Sequence, residues 1–257
     1  MPTDRLVDPD FLRYQYSDDE RLRIRIETHR RHSENPTPFR AWVLERVDAR
    51  QGQRLLDVGS GYGQYHDLLG EVRVVAIDMS MGMLQKVSVP RAQADAQALP
   101  FASASFDRVM ANHMLYHVPA KERALAEMRR VTRSPGRVVI TTNARDSMRP
   151  LVALVAEAAR AVGVEPEGNS GLSFGLEDDA LVRSVFPEVR VDTYESALRF
   201  DSAEPALRYV ASMWVGRLPE ASRSALLAQL QDRVDAAIAR EGTFRVPTRA
   251  GCFVADV

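Results

Sequence analysis

Cysteine is almost absent: Cys252 is the only one in 257 residues. A lone thiol excludes an internal disulfide and a multi-cysteine metal centre, and it fits a reducing compartment. Lysine is nearly as scarce, with only Lys86 and Lys121 among a basic set that is otherwise arginine. Neither sign of charge is in excess. The formal net charge is −1, so no overall positive field draws the chain to nucleic acid or to an acidic membrane. Long hydrophobic runs are missing too. Nothing approaches the ~20 apolar residues that span a bilayer, and Met1 to Glu20 has no apolar core of signal-peptide length. The expectation is a cytoplasmic chain with no membrane partner. What is present is a globular mixture, 45% hydrophobic and 27% charged, enough for one domain with a large core.

Periodicity organises the chain. Pro2 to Asn35 is polar and arginine-rich. Ser17-Asp18-Asp19-Glu20 reads as a capping box. Leu22-Arg23-Ile24-Arg25-Ile26 alternates, but the cap and the polar run to Ser33 favour a helix there. Asn35-Pro36-Thr37-Pro38 breaks it, and a second helix is expected from Phe39 to about Asp48. Four strands are then predicted, at Leu55–Val58, Val72–Ile77, Asp107–Ala111 and Arg137–Thr142, with a helix at Ala120–Thr132. Strand–helix alternation implies a parallel sheet with right-handed crossovers. The remainder is more helical, with apolar positions at helical spacing from Leu151 to Val162, Leu207 to Trp214 and Leu227 to Ile238. Val189–Tyr194 and Gly251–Val257 read as further strands, and Gly163 to Gly175 as a flexible loop.

The strongest chemical signal is Asp57-Val58-Gly59-Ser60-Gly61-Tyr62-Gly63, between a predicted strand and a predicted helix. Glycines there let the backbone turn tightly beside a ligand. The spacing departs from the Gly-x-Gly-x-x-Gly of nicotinamide-binding loops, and no Gly-Lys-Ser/Thr follows to make a P-loop. Asp78 closes the next strand, where a carboxylate can accept from both ribose hydroxyls; with the glycine turn upstream, that reading outweighs a plain turn carboxylate. A third segment, Ala94 to Phe101 followed by Ser105-Phe106-Asp107, separates the cofactor alternatives.

The set LDVGSGYGQY, VVAIDMS, ADAQALPFASASFDRV and HVPAKERALAEMRRVTRSPGRVVITT resembles the class I S-adenosylmethionine-dependent methyltransferases, most of all the branch with small-molecule and quinone enzymes. The resemblance covers about Arg54 to Thr142. It implies an α/β fold: a Rossmann-like methyltransferase sheet with helices on both faces, plus a helical cap insertion and an N-terminal helical lid. Residues 1–38 would form the lid. Residues 39–257 would form the methyltransferase domain, with cap segments at about 148–186 and 202–241 making the acceptor pocket. The cofactor would be S-adenosylmethionine. Gly59, Ser60, Gly61 and Gly63 would let the backbone pass its methionine part, and Asp57 would orient its ammonium. Asp78 would hold the ribose, Met79 would pack on the adenine, and Asp95 with the Ala96 backbone nitrogen would bind the adenine edge. Asn112 would offer its carbonyl to the ammonium, and Tyr16 would close over the site from the lid.

Methyl transfer from a sulfonium is an in-line displacement with a good leaving group. Alignment, worth ~7–11 kcal/mol, exceeds what a general base adds, ~10²–10⁴-fold in rate. The catalytic candidates are therefore few: His113 and His117, beyond the strand that ends near Asn112. His117 is common in the family whatever the acceptor and suits packing before Pro119; His113 is the better candidate to reach an acceptor. Asn112, Asn143 and Asp146 offer too few carboxylates for a divalent cation, so no metal is expected. Trp42 and Trp214 read as packing residues and Cys252 as a core-facing one. The expected reaction is methyl transfer to an O, N or C nucleophile of a small molecule. The alternatives are an RNA or protein methyltransferase, or a non-catalytic S-adenosylmethionine-binding protein. Asn112-His113-Met114-Leu115 lacks the Asn/Asp-Pro-Pro-Tyr/Phe motif of amino-directed DNA enzymes, and no paired-glutamate loop of protein-arginine enzymes is found.

Overall fold

The computed structural model describes residues 5–166 and 173–257. Gly168-Asn169-Ser170-Gly171, the centre of the expected loop, lies outside the described residues. Seven strands form one sheet: β1 (Arg54–Val58), β2 (Arg73–Asp78), β3 (Arg91–Gln93), β4 (Phe106–Asn112), β5 (Thr132–Asn143), β6 (Val189–Phe200) and β7 (Phe244–Asp256). Their order is β3-β2-β1-β4-β5-β7-β6. The first five run parallel, and β7 lies antiparallel between β5 and β6. The helices are α1 (Pro9–Tyr16), α2 (Glu20–His32), α3 (Phe39–Val47), α4 (Met81–Leu84), α5 (Lys121–Val131), α6 (Arg149–Ala161), α7 (Asp179–Val185), α8 (Glu204–Ala211) and α9 (Glu220–Glu241).

The pleat sends alternate residues to opposite faces. Leu56, Val109, Val138, Ile140 and Phe253 join one core with Leu125, Met128 and Val131 of α5 and Val182 of α7. Leu55, Met110, Val139, Cys252 and Val254 face the other way, onto Trp42, Val43 and Val47 of α3. The expected sheet with helices on both faces is therefore present. β6 and β7 pair from Val189↔Ala255 to Phe200↔Phe244, whereas β5 meets β7 only as far as Asn143↔Ala250. The ribbon thus runs on past the C-terminal end of β5. Its projecting residues Leu198, Phe200, Phe244 and Val246 form a second core with Leu151 and Val155 of α6, Val210 of α8 and Leu226, Leu230 and Val234 of α9. That helical layer stands at the end of the sheet where the parallel strands finish.

Several expectations are corrected. Ser17 is the C-cap of α1, a helix the sequence pattern did not announce, and α2 begins after Asp19 with no side-chain cap. The capping box fails because Asp18 takes its place: Glu20 N donates to Asp18 Oδ1 at 3.0 Å and Ser17 Oγ donates to Asp18 Oδ2 at 3.3 Å, while Asp8 caps α1, accepting from the backbone nitrogens of Asp10 and Phe11. The helix expected after the glycine turn is only a 3-10 turn, His66–Leu68; Gly70 with φ +54 ends it before an α-helix can propagate. β3 was not foreseen, being three residues of Arg-Ala-Gln on a sheet edge with no apolar alternation. α7 was assigned to the cap but packs into the sheet core beside α5. The tail of the Gly163 to Gly175 loop is anchored: Phe174 is fully buried, its carbonyl accepts from Thr142 Oγ1 at 2.9 Å, and Ser173 Oγ donates to the Tyr116 carbonyl at 2.6 Å. Among the described residues no helix is long and apolar enough to cross a membrane.

Candidate active site

In a doubly wound sheet a crevice opens where strand order reverses, beyond the carboxyl ends of the strands. Here that point lies between β1 and β4. The glycine turn leaves β1, Asp78 ends β2, and Asn112 ends β4. The turn is held in a shape that only glycine takes easily. Gly59 and Gly63 have φ of +67 and +80. A Cβ on Gly59 would lie 2.7 Å from Met114 Cβ, and one on Gly63 would lie 2.6 Å from His66 Nδ1. Ser60 is buried, and its backbone nitrogen donates to the Ile77 carbonyl at 2.9 Å, tying the turn to β2.

Asp78 ties the turn from the other side. Its Oδ2 accepts from Gly61 N and its Oδ1 from Ser80 N, each at 2.8 Å. Burial raises its carboxyl above the ordinary carboxylate range, and the two backbone donors oppose that shift. Asp57 is 1% exposed. Its Oδ2 accepts from His66 Nε2 at 2.9 Å, and burial pushes its carboxyl up against the pull of that imidazole. His66 was not singled out in the sequence; its position after Gly63 carries no type-specific signal. Met79 is 63% exposed beside Asp78, and Asp95 sits half-buried with both oxygens on Gln97 Nε2 at 3.0 Å. Ala96 is buried under it. Met79 and the Asp95 turn are next to β2 and β3, on the same side of the crevice as Asp78.

Asn112 has one unsatisfied group. Its Oδ1 accepts from Thr141 Oγ1 at 3.2 Å, while its buried Nδ2 has no partner. His113 follows with φ +50, a conformation in which His is enriched among non-glycine residues but which still costs energy. Its backbone nitrogen is held by the carbonyl and the hydroxyl of Thr141, both at 3.1 Å. The His113 ring lies 5.4 Å from Phe39. Burial, with the neighbouring His29, lowers its pKa from 6.5 to about 4. His117 is placed differently. Its Nδ1 meets the Leu6 carbonyl at 2.8 Å, which can only accept, so Nδ1 bears the proton and Nε2 accepts from the Tyr16 hydroxyl at 2.8 Å. Both ring nitrogens are engaged with the N-terminal segment.

That segment crosses the crevice. Ser80 Oγ donates to the Tyr16 carbonyl at 2.6 Å, so the α1–α2 junction is attached to the end of β2 and, through His117, to the loop after β4. Burial raises the Tyr16 phenol, and Asp78 adds to that rise. Leu22 of α2 stands 3.4 Å from where a Gly61 Cβ would be. Asp146 is paired with Arg249 at 2.9 Å. Among the described residues no group of three or more His, Cys, Asp or Glu is placed to hold a metal. Trp42 is buried with the Arg46 guanidinium 3.8 Å over its ring, and Trp214 packs on the second core.

These features fit a nucleoside with an aminoacyl tail. The Asp78 and Asp57 carboxylates, the glycine turn and the Asn112 amide, unpaired at Nδ2 among the described residues, meet at one crevice. Comparison with known proteins agrees. A family model described as a methyltransferase domain matches residues 56–140. A malonyl-[acyl-carrier protein] O-methyltransferase of Enterobacter lignolyticus is 31% identical over 198 residues, 74% of this chain and 76% of that protein. A demethylmenaquinone methyltransferase of Renibacterium salmoninarum is 37% identical over 119 residues, 44% of this chain and 50% of that one; the chain thus spans about half the length of that relative. In fold it matches a phosphoethanolamine N-methyltransferase of Haemonchus contortus, solved with S-adenosyl-L-methionine, with a TM-score of 0.56 at 17% identity, covering 100% of this chain and 60% of that one. By its motifs, its strand order and its relatives, the chain belongs to the class I S-adenosylmethionine-dependent methyltransferase family.

Proposed function

We propose that the protein transfers a methyl group from S-adenosylmethionine to an O, N or C nucleophile of a small molecule. The observation that carries this reading is the joining of the glycine turn to Asp78 at the strand-order reversal, through the 2.8 Å bond from Gly61 N. In support, the Enterobacter relative is named for O-methylation of a malonyl group and the Renibacterium relative for methylation of demethylmenaquinone. The bound cofactor supplies an electrophilic methyl on a sulfonium whose leaving group is a neutral thioether.

The chain's own residues do the rest. The Asp78 oxygens accept the ribose hydroxyls, and Asp57, with the carbonyl of Asn112, faces the ammonium. Gly59, Ser60, Gly61 and Gly63 bring backbone close to the aminoacyl tail. Met79 covers the adenine, and Asp95 and the Ala96 nitrogen bind its edge. Tyr16 closes the site from the lid, residues 1–38. The cap segments, 148–186 and 202–241, bound the acceptor space with the exception of α7. Alignment and exclusion of water carry most of the rate. His113, neutral above about pH 4, is available as a base beside the acceptor, whereas His117 holds the lid. The buried, unpaired Cys252 fits a reducing compartment, and we place the reaction in the cytoplasm.

The test pairs calorimetry with label transfer. The purified chain should bind S-adenosylhomocysteine and not NAD, and should move labelled methyl to an acceptor in a small-molecule panel. Absence of binding to the sulfur nucleosides would overturn the reading.

A further inference from the structure

Among the described residues Arg25 has no counter-ion. Its side chain is half-buried on α2, and among the described residues no carboxylate lies within ion-pairing distance. Its Nη1 donates to Gln15 Oε1 and to the Ser212 carbonyl, both at 2.9 Å. Those two bonds fix the guanidinium through Nη1, and the Tyr16 hydroxyl lies within its hydrogen-bonding reach; among the described residues no carboxylate meets its Nε–Nη2 edge. That edge is the fork that takes a carboxylate side-on, the pairing that Arg30 makes with Glu27 through Nε and Nη2 at 2.7 Å each.

The surroundings are rich in unused donors. The Tyr116 hydroxyl makes no hydrogen bond among the described residues, nor does the His29 ring, and the Gln15 amide nitrogen is buried without a partner. Arg25 acts electrostatically on Tyr16, His29, Tyr116 and Tyr209, so these groups lie within range of its charge. His29 meets Tyr209 edge-on at 5.8 Å. Withdrawing a guanidinium from water without an anion is costly, and so are buried polar groups left unpaired. A ligand anion would offset both. The anchors and neighbours of Arg25 lie on α1, α2, α8 and the loop after β4, and none of them on the glycine turn.

We propose that the methyl acceptor is a small carboxylic acid, bound through its carboxylate by the Nε–Nη2 edge of Arg25 with the Tyr116 hydroxyl as a further donor. This rests on the methyltransferase reading above. The cofactor has a carboxylate of its own, and the test separates the two sources.

Wild-type protein is first titrated with S-adenosylhomocysteine; failure to bind would sink the methyltransferase reading itself. With that nucleoside saturating, ligand-observed NMR screens a panel of aliphatic and aromatic monocarboxylic acids, each beside its primary amide. At least one acid should bind tenfold or more tightly than its amide. Arg25→Gln should abolish that preference while S-adenosylhomocysteine affinity stays within twofold of wild type. Tyr116→Phe, which keeps the ring, should weaken the same acid severalfold. The inference is overturned if no acid is preferred over its amide in the wild-type protein, an outcome that needs no variant. It is overturned equally if Arg25→Gln weakens S-adenosylhomocysteine but not 5′-methylthioadenosine, which lacks the aminoacyl tail, because Arg25 would then serve the cofactor.

Discussion

Replacing Asp78 with alanine tests the ribose contact most directly. The carboxylate already accepts from Gly61 N and Ser80 N at 2.8 Å each, and each oxygen keeps a further lone pair for a hydroxyl. Hydrogen bonds to a charged group contribute about 1.5–3 kcal/mol each. Two of them sum to about 3–6 kcal/mol, and at about 1.4 kcal/mol per tenfold in affinity this spans roughly 10²–10⁴-fold. Asp78 is half-buried and shares its oxygens with the backbone, so the lower end applies: an increase of about 100-fold in the Kd for S-adenosylhomocysteine. Releasing Gly61 N adds to the loss, since the turn is freed from β2 on that side. Asp78→Asn keeps the shape and one acceptor and should fall between alanine and wild type. Isothermal calorimetry reads the affinities, and thermal melting shows whether each variant is folded. A folded Asp78→Ala protein whose Kd stays within threefold of wild type would refute the reasoning and leave Asp78 as a turn residue.

Other expected outcomes follow from the same geometry. If His113 acts as a base, His113→Ala should lower turnover ~10²–10⁴-fold with cofactor affinity nearly unchanged, and the acid limb of the wild-type rate profile should fall near pH 4 rather than 6.5; a loss below tenfold would mark catalysis by alignment alone. His29 and His113 both have folded pKa values lowered from 6.5 to about 4. The unfolded chain therefore binds more protons between those values, so stability is lost as pH falls from about 6.5 towards 4. Melting temperature against pH should show this decline, and a His113→Phe variant should flatten it. Burial holds the Asp57 carboxyl above the usual range, so cofactor affinity should weaken on acidification before ordinary carboxylates titrate, measured by calorimetry across pH. Hydrogen exchange of residues 5–38 should slow when S-adenosylhomocysteine binds, because the Tyr16 bonds to Ser80 and His117 span the crevice; equal protection in both states would count against a lid.

The turn and strand ends that border the crevice were legible in the sequence because they are built from local signals. A glycine turn after a short apolar strand, and an acid at the end of the next strand, need only spacing to be recognised, as with Gly59, Gly61, Gly63 and Asp78, whereas the role of Asp57 is implied by the family resemblance. The β1, β2, β4 and β5 strands were found for a similar reason: buried on both faces, each is a near-continuous apolar run that periodicity detects. β3 escaped because an edge strand of three residues leaves no pattern. The capping box misled because Asp18, next to Ser17, accepts from Glu20 N instead, and local sequence cannot rank two candidate caps so close together.

Tertiary structure alone decided the rest. The extension of β6 and β7 beyond β5, on which α6, α8 and α9 pack, depends on pairing between residues far apart in the chain, out to Phe200↔Phe244. The His66–Asp57 bond, the link from Tyr16 to His117 and the anchoring of Arg25 are distance and burial facts that no residue type announces. An arginine in an alternating run reads as a solvated surface residue; only packing against α1 and α8 half-buries it, with no carboxylate on it among the described residues. Sequence thus determined the fold class and the place of the glycine turn and the Asp78 carboxylate, which repeat a local geometry. What packs around Arg25 was settled by long-range packing, because its neighbours come from elements far apart in the chain.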